Sequence, residues 1–511
     1  MVKKLFKNKL HWALIIFITL NIFLSSWYPI HGDIYFHTDI ARDFLLIADI
    51  VDNANLTLIG PRSSIPGLFH GPLWLYIQVP AYILSAGQPS LMSWFWVILT
   101  ISAIAIIYFV AKELFDKTTG LISALIFSTI TISYVKNMFN PFGALMLTPI
   151  FFYYFYLYVK SKKPLFLVIS IFILGIIIQF QIAFGFPILF LSFVYIFPDL
   201  LKRKRLSHIL SYFVIIIPLS TYILFELRNS FFQLHSVLKY IFEGENSSRF
   251  NLQSHITDRL QGIFIKGVGL IEGDFKYMTF IVVLGVLFGL YKYSKKKALS
   301  NMIFYKLVMF FYLGFWALTI PYAGKVWGYY YLPFLPLFVI LLATTYKILN
   351  RYLFIFLMAI VLLGNYYFVA KDIINSKKFI GFDSASWKFN QTVAKTIFDA
   401  EDKEFGYFIF SPDQYGYTPR YALDLMSKTN QDRKAYPFQK KKITYLILLS
   451  PPDNRPDLDW DWWVKNKVGI NIEPISTLRY GNGTVIKKYL LSPEEIKIES
   501  DPNMIHDLYF R

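Results

Sequence analysis

The sequence predicts a polytopic α-helical membrane protein with a small α/β domain at its C-terminus. Hydrophobic residues make up 55% and charged residues 16% of the 511-residue chain, whereas soluble domains carry about 25% charged residues. The apolar residues occur in repeated runs of about 17–20 residues, the length that crosses a bilayer. Lysines and arginines are grouped in short clusters between these runs. The pattern is typical of a multi-pass protein of the plasma (cytoplasmic) membrane, surrounded by membrane lipids.

The charge balance is strongly basic. The chain has 51 lysines and arginines against 33 aspartates and glutamates, a formal net charge of +18, which is also typical of proteins that bind nucleic acid. Here the basic residues recur in short clusters between apolar runs, so nucleic acid is not predicted as a partner. The chain has no cysteine, which excludes disulfides, thiol catalysis and cysteine-bound zinc.

The apolar runs predict about eleven transmembrane helices and one shorter helix that does not cross the bilayer. The run 72–86 is short and has Pro80 in its middle, which predicts a re-entrant or juxtamembrane helix. If this run does not cross, the basic clusters fall on the side of the N-terminal lysines, as the positive-inside rule requires. The N-terminus is then inside and the C-terminus outside. The predicted spans lie near 10–28, 92–111, 118–134, 142–159, 164–180, 182–197, 208–226, 277–292, 303–321, 328–347 and 351–369.

Three polar regions share the predicted outer face: a first loop at 31–91, a second loop at 227–276 and a tail at 371–511. The tail contains strand-like runs, FGYFIF and ITYLILL, and the Asn-Gly pair of RYGNGTVIKKYLL indicates a hairpin. Its length is within the usual range for a domain. We therefore predict a transmembrane catalytic domain at 1–370 and an extracytoplasmic α/β domain at 371–511.

The first outer loop opens with the segment GDIYFHTDIARDFLLI, which places acids and an arginine directly after an apolar span. Asp39 is the first candidate for chemistry if this segment is held against the bilayer rather than being a solvated loop. Arg42 follows one helical turn later and is predicted on the same face, whereas Asp43 points elsewhere and can pair with a base. The structural alternative is that Thr38 or Asp39 caps the helix, since both residue types are common caps.

Three motifs in fixed order produce a family resemblance. The acidic motif is Asp39-Ile40-Ala41-Arg42, the second is GPRSSIPGLFHGPLWLYI at 60–77, and the third is WGYYYLPFLPLF at 327–338. Together with the large first outer loop and the outer tail, they resemble the GT-C superfamily of membrane glycosyltransferases. The closest likeness is to the branch of the protein mannosyltransferases and lipid A aminoarabinose transferases, which is glycosyltransferase family 39-like. The resemblance covers about residues 1–370 and implies a GT-C-like fold.

The resemblance implies a function and a set of site residues. Family members transfer a sugar from a polyprenyl-phosphate donor to a protein, lipid or glycan acceptor on the non-cytoplasmic face, usually with inversion. Asp39 is then expected to be the general base. Cations are expected to neutralise the leaving phosphate, with arginine suited to bidentate contacts. The donor-phosphate candidates are Arg42, Arg62, His70, Lys136 and Lys325; Asp43, Asn140 and Tyr329 are further candidates for substrate contact.

Departures from the family pattern argue against a metal ion. The glutamate that commonly follows the catalytic aspartate is replaced by Ile40. The second outer loop of the family often holds another acid, but YVKNMFNPF has Asn137 and Asn140 instead. With that carboxylate missing, the pattern does not favour a divalent metal bridging the two loops, and we assign no metal ligand and no cofactor.

Other interpretations of these residues stay open. Arg42 and Lys325 also suit snorkelling at the bilayer surface, Tyr329 suits an interfacial aromatic belt, and His70 can simply precede the first turn of a helix that begins with proline.

The rival functions are a lipid-linked sugar flippase or transporter and a polysaccharide polymerase or ligase. Transporters place their binding groups near the bilayer midplane, whereas the polar residues here gather on one face. A catalytic role for the 227–276 loop favours the polymerase or ligase.

Overall fold

The computed structural model describes residues 2–243, 252–295, 302–322, 324–400, 402–451 and 459–504. Up to the tail it is helical, with α1 (Val2–Ser25), α2 (Trp27–Ile30), α3 (Thr38–Asp52), α4 (Leu73–Leu84), α5 (Pro89–Leu114), α6 (Lys117–Ile130), α7 (Pro141–Ser161), α8 (Pro164–Phe180), α9 (Ile182–Lys202), α10 (Ser220–Arg228), α11 (Phe232–Glu243), α12 (Leu252–Gln261), α13 (Thr279–Lys295), α14 (Met302–Thr319), α15 (Leu335–Thr344) and α16 (Arg351–Phe379). The tail contains α17 (Trp387–Phe398), β1 (Glu404–Phe410), α18 (Tyr417–Thr429), β2 (Lys434–Pro437), β3 (Ile443–Leu448), α19 (Trp460–Trp463), β4 (Ser476–Arg479), β5 (Val485–Leu490) and α20 (Pro493–Lys497).

The membrane helices begin and end where the sequence provides suitable residues. Helices α7 and α8 each begin with a proline, whose fixed φ and missing N–H suit the first helical position. The Asp116 carboxylate accepts a hydrogen bond from the amide of Thr119 at 2.7 Å and caps α6. Helix α7 ends at Lys162, which has a left-handed φ of 59°. The turn to α8 is therefore short, as expected for antiparallel neighbours.

Six helices among the described residues are long and apolar enough to cross a bilayer: Pro89–Leu114, Lys117–Asn137, Pro141–Ser161, Ile182–Lys202, Met302–Thr319 and Arg351–Phe379. A pair bent by 67°, Ser207–Ile216 with Ser220–Arg228, raises the number to seven if it is one span. Shorter apolar helices lie at Lys9–Ser25, Leu73–Leu84, Pro164–Phe180 and Leu332–Lys347. The chain is an integral membrane protein, as predicted; the count of about eleven spans stays a prediction.

The helix predicted at 72–86 is α4, and its twelve residues include Pro80. At 1.5 Å per residue it is about 18 Å long, shorter than the roughly 30 Å hydrocarbon core of a bilayer. Its length suits the predicted non-crossing helix.

Contacts divide the chain into two compact units. The membrane unit contains Met1–Ser26, Thr57–Ile77 and Phe95–Asp372. The tail unit contains Trp27–Leu56, Gln78–Trp94 and Ile373–Arg511, so the start of the first outer loop groups with the tail. In the membrane unit, aromatic rings from α7 and α14 fill the interior, with buried Phe151, Phe152, Phe155 and Phe311 in mutual contact.

The tail unit is built on a mixed sheet in the strand order β2-β1-β3-β5-β4. Strand β1 is parallel to β2 and β3, whereas β5 is antiparallel to β3 and β4. The predicted strands FGYFIF and ITYLILL are confirmed as β1 and β3. The predicted hairpin is also confirmed: the amide of Tyr480 donates to the carbonyl of Thr484 at 2.9 Å, and Gly483 has a φ of +86°. Strand β2 was not anticipated from the sequence.

A buried carboxylate joins the first outer loop to the tail within this unit. Asp33 is fully buried. Its Oδ1 accepts from the amides of Ile34 at 2.8 Å and Lys388 at 3.1 Å. Its Oδ2 accepts from the Ser386 hydroxyl at 2.6 Å and the Gly381 amide at 3.2 Å. Burial raises the pKa of Asp33, although these hydrogen bonds oppose the shift.

Replacement of Asp33 by alanine removes the acceptor for the Gly381 and Lys388 amides and for the Ser386 hydroxyl. A buried donor left unsatisfied costs about 1–3 kcal/mol, so we expect a lower melting temperature of the purified protein in detergent. Asp432→Ala is the matched control, because Asp432 is exposed. Equal melting temperatures for the two variants would contradict this role of Asp33.

Candidate active site

The acidic motif of the first outer loop lies in the first turn of α3. The helix is capped by His37, whose ring nitrogen accepts a hydrogen bond from the Asp39 amide at 3.3 Å. The prediction that Thr38 or Asp39 caps the helix is therefore wrong. The cause is the extended backbone of His37, which brings its ring to the free amide. Burial lowers the pKa of His37, although Asp39 opposes the shift, and this favours the neutral ring that can accept.

Arg42 links the two acids of this turn. Its Nη1 lies 2.7 Å from Asp39 Oδ1, and its Nε and Nη2 lie 3.1 and 2.9 Å from Asp43 Oδ1. The Arg42 and Asp43 side chains are 11% and 4% exposed, whereas that of Asp39 is 50% exposed. Burial opposes the charge of Arg42, but the two carboxylates outweigh it and raise its pKa. The predicted shared face of Asp39 and Arg42 and the pairing of Asp43 are confirmed.

A loop of the tail holds the start of α3. The Thr38 hydroxyl donates a short hydrogen bond to Asp413, in the loop that follows β1. The other oxygen of Asp413 accepts from the Ser411 hydroxyl at 2.6 Å and the Tyr415 amide at 2.9 Å. The residue before Asp39 is therefore fixed by an ordered turn of the same unit.

Two predicted phosphate ligands flank a tight turn in the membrane unit. Arg62 pairs with Phe69 through the backbone, and His70 exchanges backbone hydrogen bonds with the neighbouring Gly60 and Pro61 at 2.7 and 2.8 Å. The Arg62 side chain is exposed and that of His70 is nearly buried. The turn therefore presents the Arg62 guanidinium outward.

Lys136 and Asn140 lie in the turn between α6 and α7, and both make contacts within the membrane unit. Lys136 Nζ lies 2.5 Å from Asp372 on α16. Asn140 is buried, and its side-chain amide donates to the carbonyl of Phe180 at 2.6 Å, at the end of α8. These contacts fix the turn against two other helices.

Lys325 and Tyr329 lie in the segment between α14 and α15. The Lys325 ammonium lies 3.8 Å above the centre of the Trp327 ring, a cation–π contact. The Tyr329 ring meets Phe139 edge to face, with 5.8 Å between centres. In the same segment the Tyr330 hydroxyl lies 2.6 Å from that of Ser64, so this segment and the Arg62 turn are neighbours.

Next to these turns lies a cavity of about 350 Å³. Of the site residues predicted from the sequence, Tyr329 lines it, and Glu272 contributes a carboxyl group that sequence reasoning missed. The sequence signal that could have identified Glu272 is an acidic residue between two apolar segments. The other lining residues are Tyr134, Asn137, Met138, Phe139, Phe142, Ile265, Lys266, Gly267, Gly269, Ile271, Lys276, Gly328, Tyr331, Leu332 and Leu335.

Arg259 is a second residue that sequence reasoning missed. It lies on α12 with a side chain only 4% exposed. Its guanidinium donates to the carbonyls of Thr319 at 2.9 Å, Tyr322 at 2.6 Å and Gly324 at 2.9 Å, and to Asp258 at 2.6 Å. It thereby ties α12 to the segment that carries Lys325 and Tyr329. Nothing in the local sequence distinguishes Arg259 from an exposed loop arginine.

Comparisons with known proteins agree with this architecture. A model of the family described as dolichyl-phosphate-mannose-protein mannosyltransferase matches residues 70–225. ArnT from Cupriavidus metallidurans in the apo state superposes with a TM-score of 0.59 at 10% identity, covering 94% of this chain and 98% of that chain. The chain has the GT-C fold.

Further solved structures are similar. The same ArnT bound to undecaprenyl phosphate superposes with a TM-score of 0.55 at 10% identity, covering 93% of this chain and 98% of that chain. The Archaeoglobus fulgidus oligosaccharyltransferase, in complex with zinc and sulfate, superposes with a TM-score of 0.43 at 16% identity, covering 83% of this chain and 62% of that chain. A search of curated proteins returned no match. The GT-C-like fold expected from the sequence motifs is confirmed.

The GT-C family model covers only part of the candidate site. Residues 70–225 include His70, Lys136 and Asn140 but not the Asp39 turn, Arg62 or the Lys325 segment. Within the described ranges no group of three or more histidines, aspartates or glutamates is arranged to hold a metal ion.

Arg259 also provides a test of the loop architecture. Replacement by lysine keeps the charge but loses the planar fork that reaches several carbonyls, and replacement by alanine loses every contact. Hydrogen bonds to a charged group contribute about 1.5–3 kcal/mol each, so we expect both variants to melt at lower temperature, alanine the more so. Arg479→Ala, at an exposed position on β4, is the control. An equally small change of melting temperature in the two Arg259 variants and in this control would contradict the structural role of Arg259.

Proposed function

We propose that the protein is an integral membrane glycosyltransferase that moves a sugar from a polyprenyl-phosphate donor to an acceptor hydroxyl, with inversion. The observation that supports it best is the half-exposed Asp39 carboxylate held by buried Arg42 in a chain with the GT-C fold. The undecaprenyl phosphate bound to ArnT supports this class of donor. The acceptor is a protein, lipid or glycan.

The proposed chemistry is a single displacement. The Asp39 carboxylate takes the proton of the acceptor hydroxyl while the acceptor oxygen forms a bond to the anomeric carbon of the sugar. The bond from that carbon to the phosphate oxygen breaks, and polyprenyl phosphate leaves with the electron pair. A positioned base of this kind contributes about 10²–10⁴-fold in rate. Arg42 orients the base, and the buried Asp43 holds Arg42 in place.

The cations of the membrane unit are proposed to bind the donor phosphate. Arg62 and Lys325 are the best placed of them, since both are exposed and their segments are joined by the hydrogen bond between Ser64 and Tyr330. Lys136 and His70 support the same region through their contacts with α16 and the Arg62 turn. Charge-assisted contacts to a phosphate stabilise the charge that develops on the leaving group.

The orientation in the membrane follows from the same proposal. With the N-terminus inside, the Asp39 turn and the tail lie outside the cytoplasmic membrane, where the basic clusters are sparse. A flippase or a polysaccharide polymerase or ligase would be supported instead by the outcomes given below.

Substitution of Asp39 by asparagine keeps the shape of the side chain and removes the base. We expect transfer from a radiolabelled polyprenyl-phosphate sugar to envelope acceptors to fall by about 10²–10⁴-fold, with binding of the donor unchanged. The assay uses the purified full chain in nanodiscs. Asp49→Asn on the same helix is the control, because Asp49 lies ten residues, or about 15 Å, further along α3.

Three outcomes of this assay would count against the proposal. Transfer that survives in Asp39→Asn would leave Asp39 without a catalytic role. Absence of transfer from every donor, with lipid-linked sugar still bound, would favour a flippase. Transfer of long lipid-linked chains in preference to single sugars would identify a polymerase or ligase.

The phosphate role of Arg62 is tested by binding alone. Arg62→Gln removes a guanidinium that can donate two hydrogen bonds to phosphate, and a lost charge-assisted hydrogen bond corresponds to about a 10- to 100-fold weaker affinity. Affinity for undecaprenyl phosphate is measured in nanodiscs at fixed salt. Arg228→Gln, at the end of α10, is the control, and equal affinities for both variants would remove Arg62 from the site.

A further inference from the structure

The lining of the 350 Å³ cavity of the membrane unit includes one acidic residue. This residue is Glu272, and its Oε1 accepts a hydrogen bond from the Tyr134 hydroxyl at 3.0 Å. The described residues offer its Oε2 no hydrogen-bond partner. An ionised carboxylate can accept about four hydrogen bonds, so this lining residue keeps acceptor capacity.

The position of Glu272 is fixed by a buried side chain of α16. The Glu272 amide donates to Asn365 Oδ1 at 3.1 Å, and Asn365 Nδ2 donates to the carbonyls of Leu270 and Val361 at 2.8 Å each. Burial raises the pKa of Glu272, although Tyr134 and Lys276 oppose the shift. The carboxyl group is therefore held at one place in the cavity wall, and a partner from the cavity would relieve its loss of solvation.

The charges of the cavity do not suit a phosphate group. Of its two lysines, Lys266 is paired with Asp258 at 2.7 Å, and Lys276 interacts electrostatically with Glu272, so a carboxylate already accompanies each positive charge. The remaining lining is mainly apolar, and five of its residues are aromatic: Tyr134, Phe139, Phe142, Tyr329 and Tyr331. Aromatic faces beside one fixed carboxyl group suit an uncharged ring that carries hydroxyl groups, and the volume lies within the range of ligand sites, about 300–1,000 Å³.

A different cavity of the membrane unit suits an apolar chain, such as the isoprenoid chain of a lipid carrier. This second cavity, of about 220 Å³, is lined by apolar side chains and Tyr312. The two cavities use different residues of one segment, which we call the shared wall (residues 263–271). Ile265, Lys266, Gly267, Gly269 and Ile271 line the first cavity, whereas Ile263, Phe264, Val268 and Leu270 line the second.

We propose that the 350 Å³ cavity binds the sugar of the lipid-linked donor and that Glu272 accepts a hydrogen bond from one of its hydroxyl groups. Glu272 is then a residue that determines which sugar is bound. This inference rests on the proposed function, since it takes the donor to be a polyprenyl-phosphate sugar. It adds the residue that distinguishes one sugar from another, in a part of the chain outside the acidic turn and outside the phosphate ligands.

The experiment compares binding of sugar-linked and bare carrier to the full chain in nanodiscs. The probes are undecaprenyl-phosphate glucose, mannose and galactose, with bare undecaprenyl phosphate as reference. For the sugar that the wild type binds best, Glu272→Gln and Glu272→Ala are expected to bind at least about 10-fold more weakly, the usual effect of losing a hydrogen bond to a charged group. Their affinity for the bare carrier is expected to stay within about twofold.

Two further variants keep the test decisive. Asp274→Asn alters an exposed acid two residues away and is expected to change neither affinity. Tyr134→Phe keeps the ring and removes the hydroxyl that orients Glu272, and it is expected to give a smaller loss confined to the sugar-linked carrier. It provides the answer if the Glu272 variants fail to fold.

The proposal is overturned if the Glu272 or Tyr134 variants lose affinity for the sugar-linked and the bare carrier equally, or if they lose affinity for neither. It is also overturned if the wild type binds no sugar-linked carrier better than the bare one. Its failure is distinguishable from failure of the proposed function, because binding and transfer are measured separately. If the wild type transfers no sugar but substitution of Glu272 weakens binding of the sugar-linked carrier alone, the sugar site is supported and the transferase is not.

Discussion

The placement of the acidic helix depends on the buried carboxylate of Asp33. This group accepts four hydrogen bonds, one from the next residue and three from the start of the tail. Because the donors at Ile34 and Ser386 are buried and would otherwise be unsatisfied, the chain before α3 is held in one conformation. Phe36 then packs between Trp387 and Tyr421. A site built on such a rigid support keeps its geometry better than one on a free loop.

The electrostatics of α3 are asymmetric in a way that suits one working carboxylate. Arg42 makes two contacts with the buried Asp43 and one with the half-exposed Asp39. The charge of Arg42 is therefore compensated mainly by the buried Asp43, while the Asp39 side chain stays half exposed. A buried ion pair that lost one partner would leave an uncompensated charge, which is strongly unfavourable. Asp43 is in this sense the anchor of the motif and Asp39 its accessible end.

Features encoded by local sequence were predictable, and features that depend on distant contacts were not. The spacing of Asp39 and Arg42 placed them on one face, and the strand periodicity of the tail gave β1 and β3. The cap at His37 was missed, because histidine is not a favoured cap type. Asp33, Arg259 and Glu272 were missed for another reason: each has a decisive partner that lies between 60 and 355 residues away along the chain, and no local pattern records such pairings.

The shared wall has an evolutionary consequence. Gly267 lines the 350 Å³ cavity. A Cβ at this position would come within 2.3 Å of the hydroxyl of Tyr312, a residue that lines the 220 Å³ cavity. A side chain added on one side therefore displaces groups on the other. Under the proposed assignment of sugar and lipid tail to these two cavities, a lineage that changed its donor would need compensating changes on both sides of this nine-residue segment.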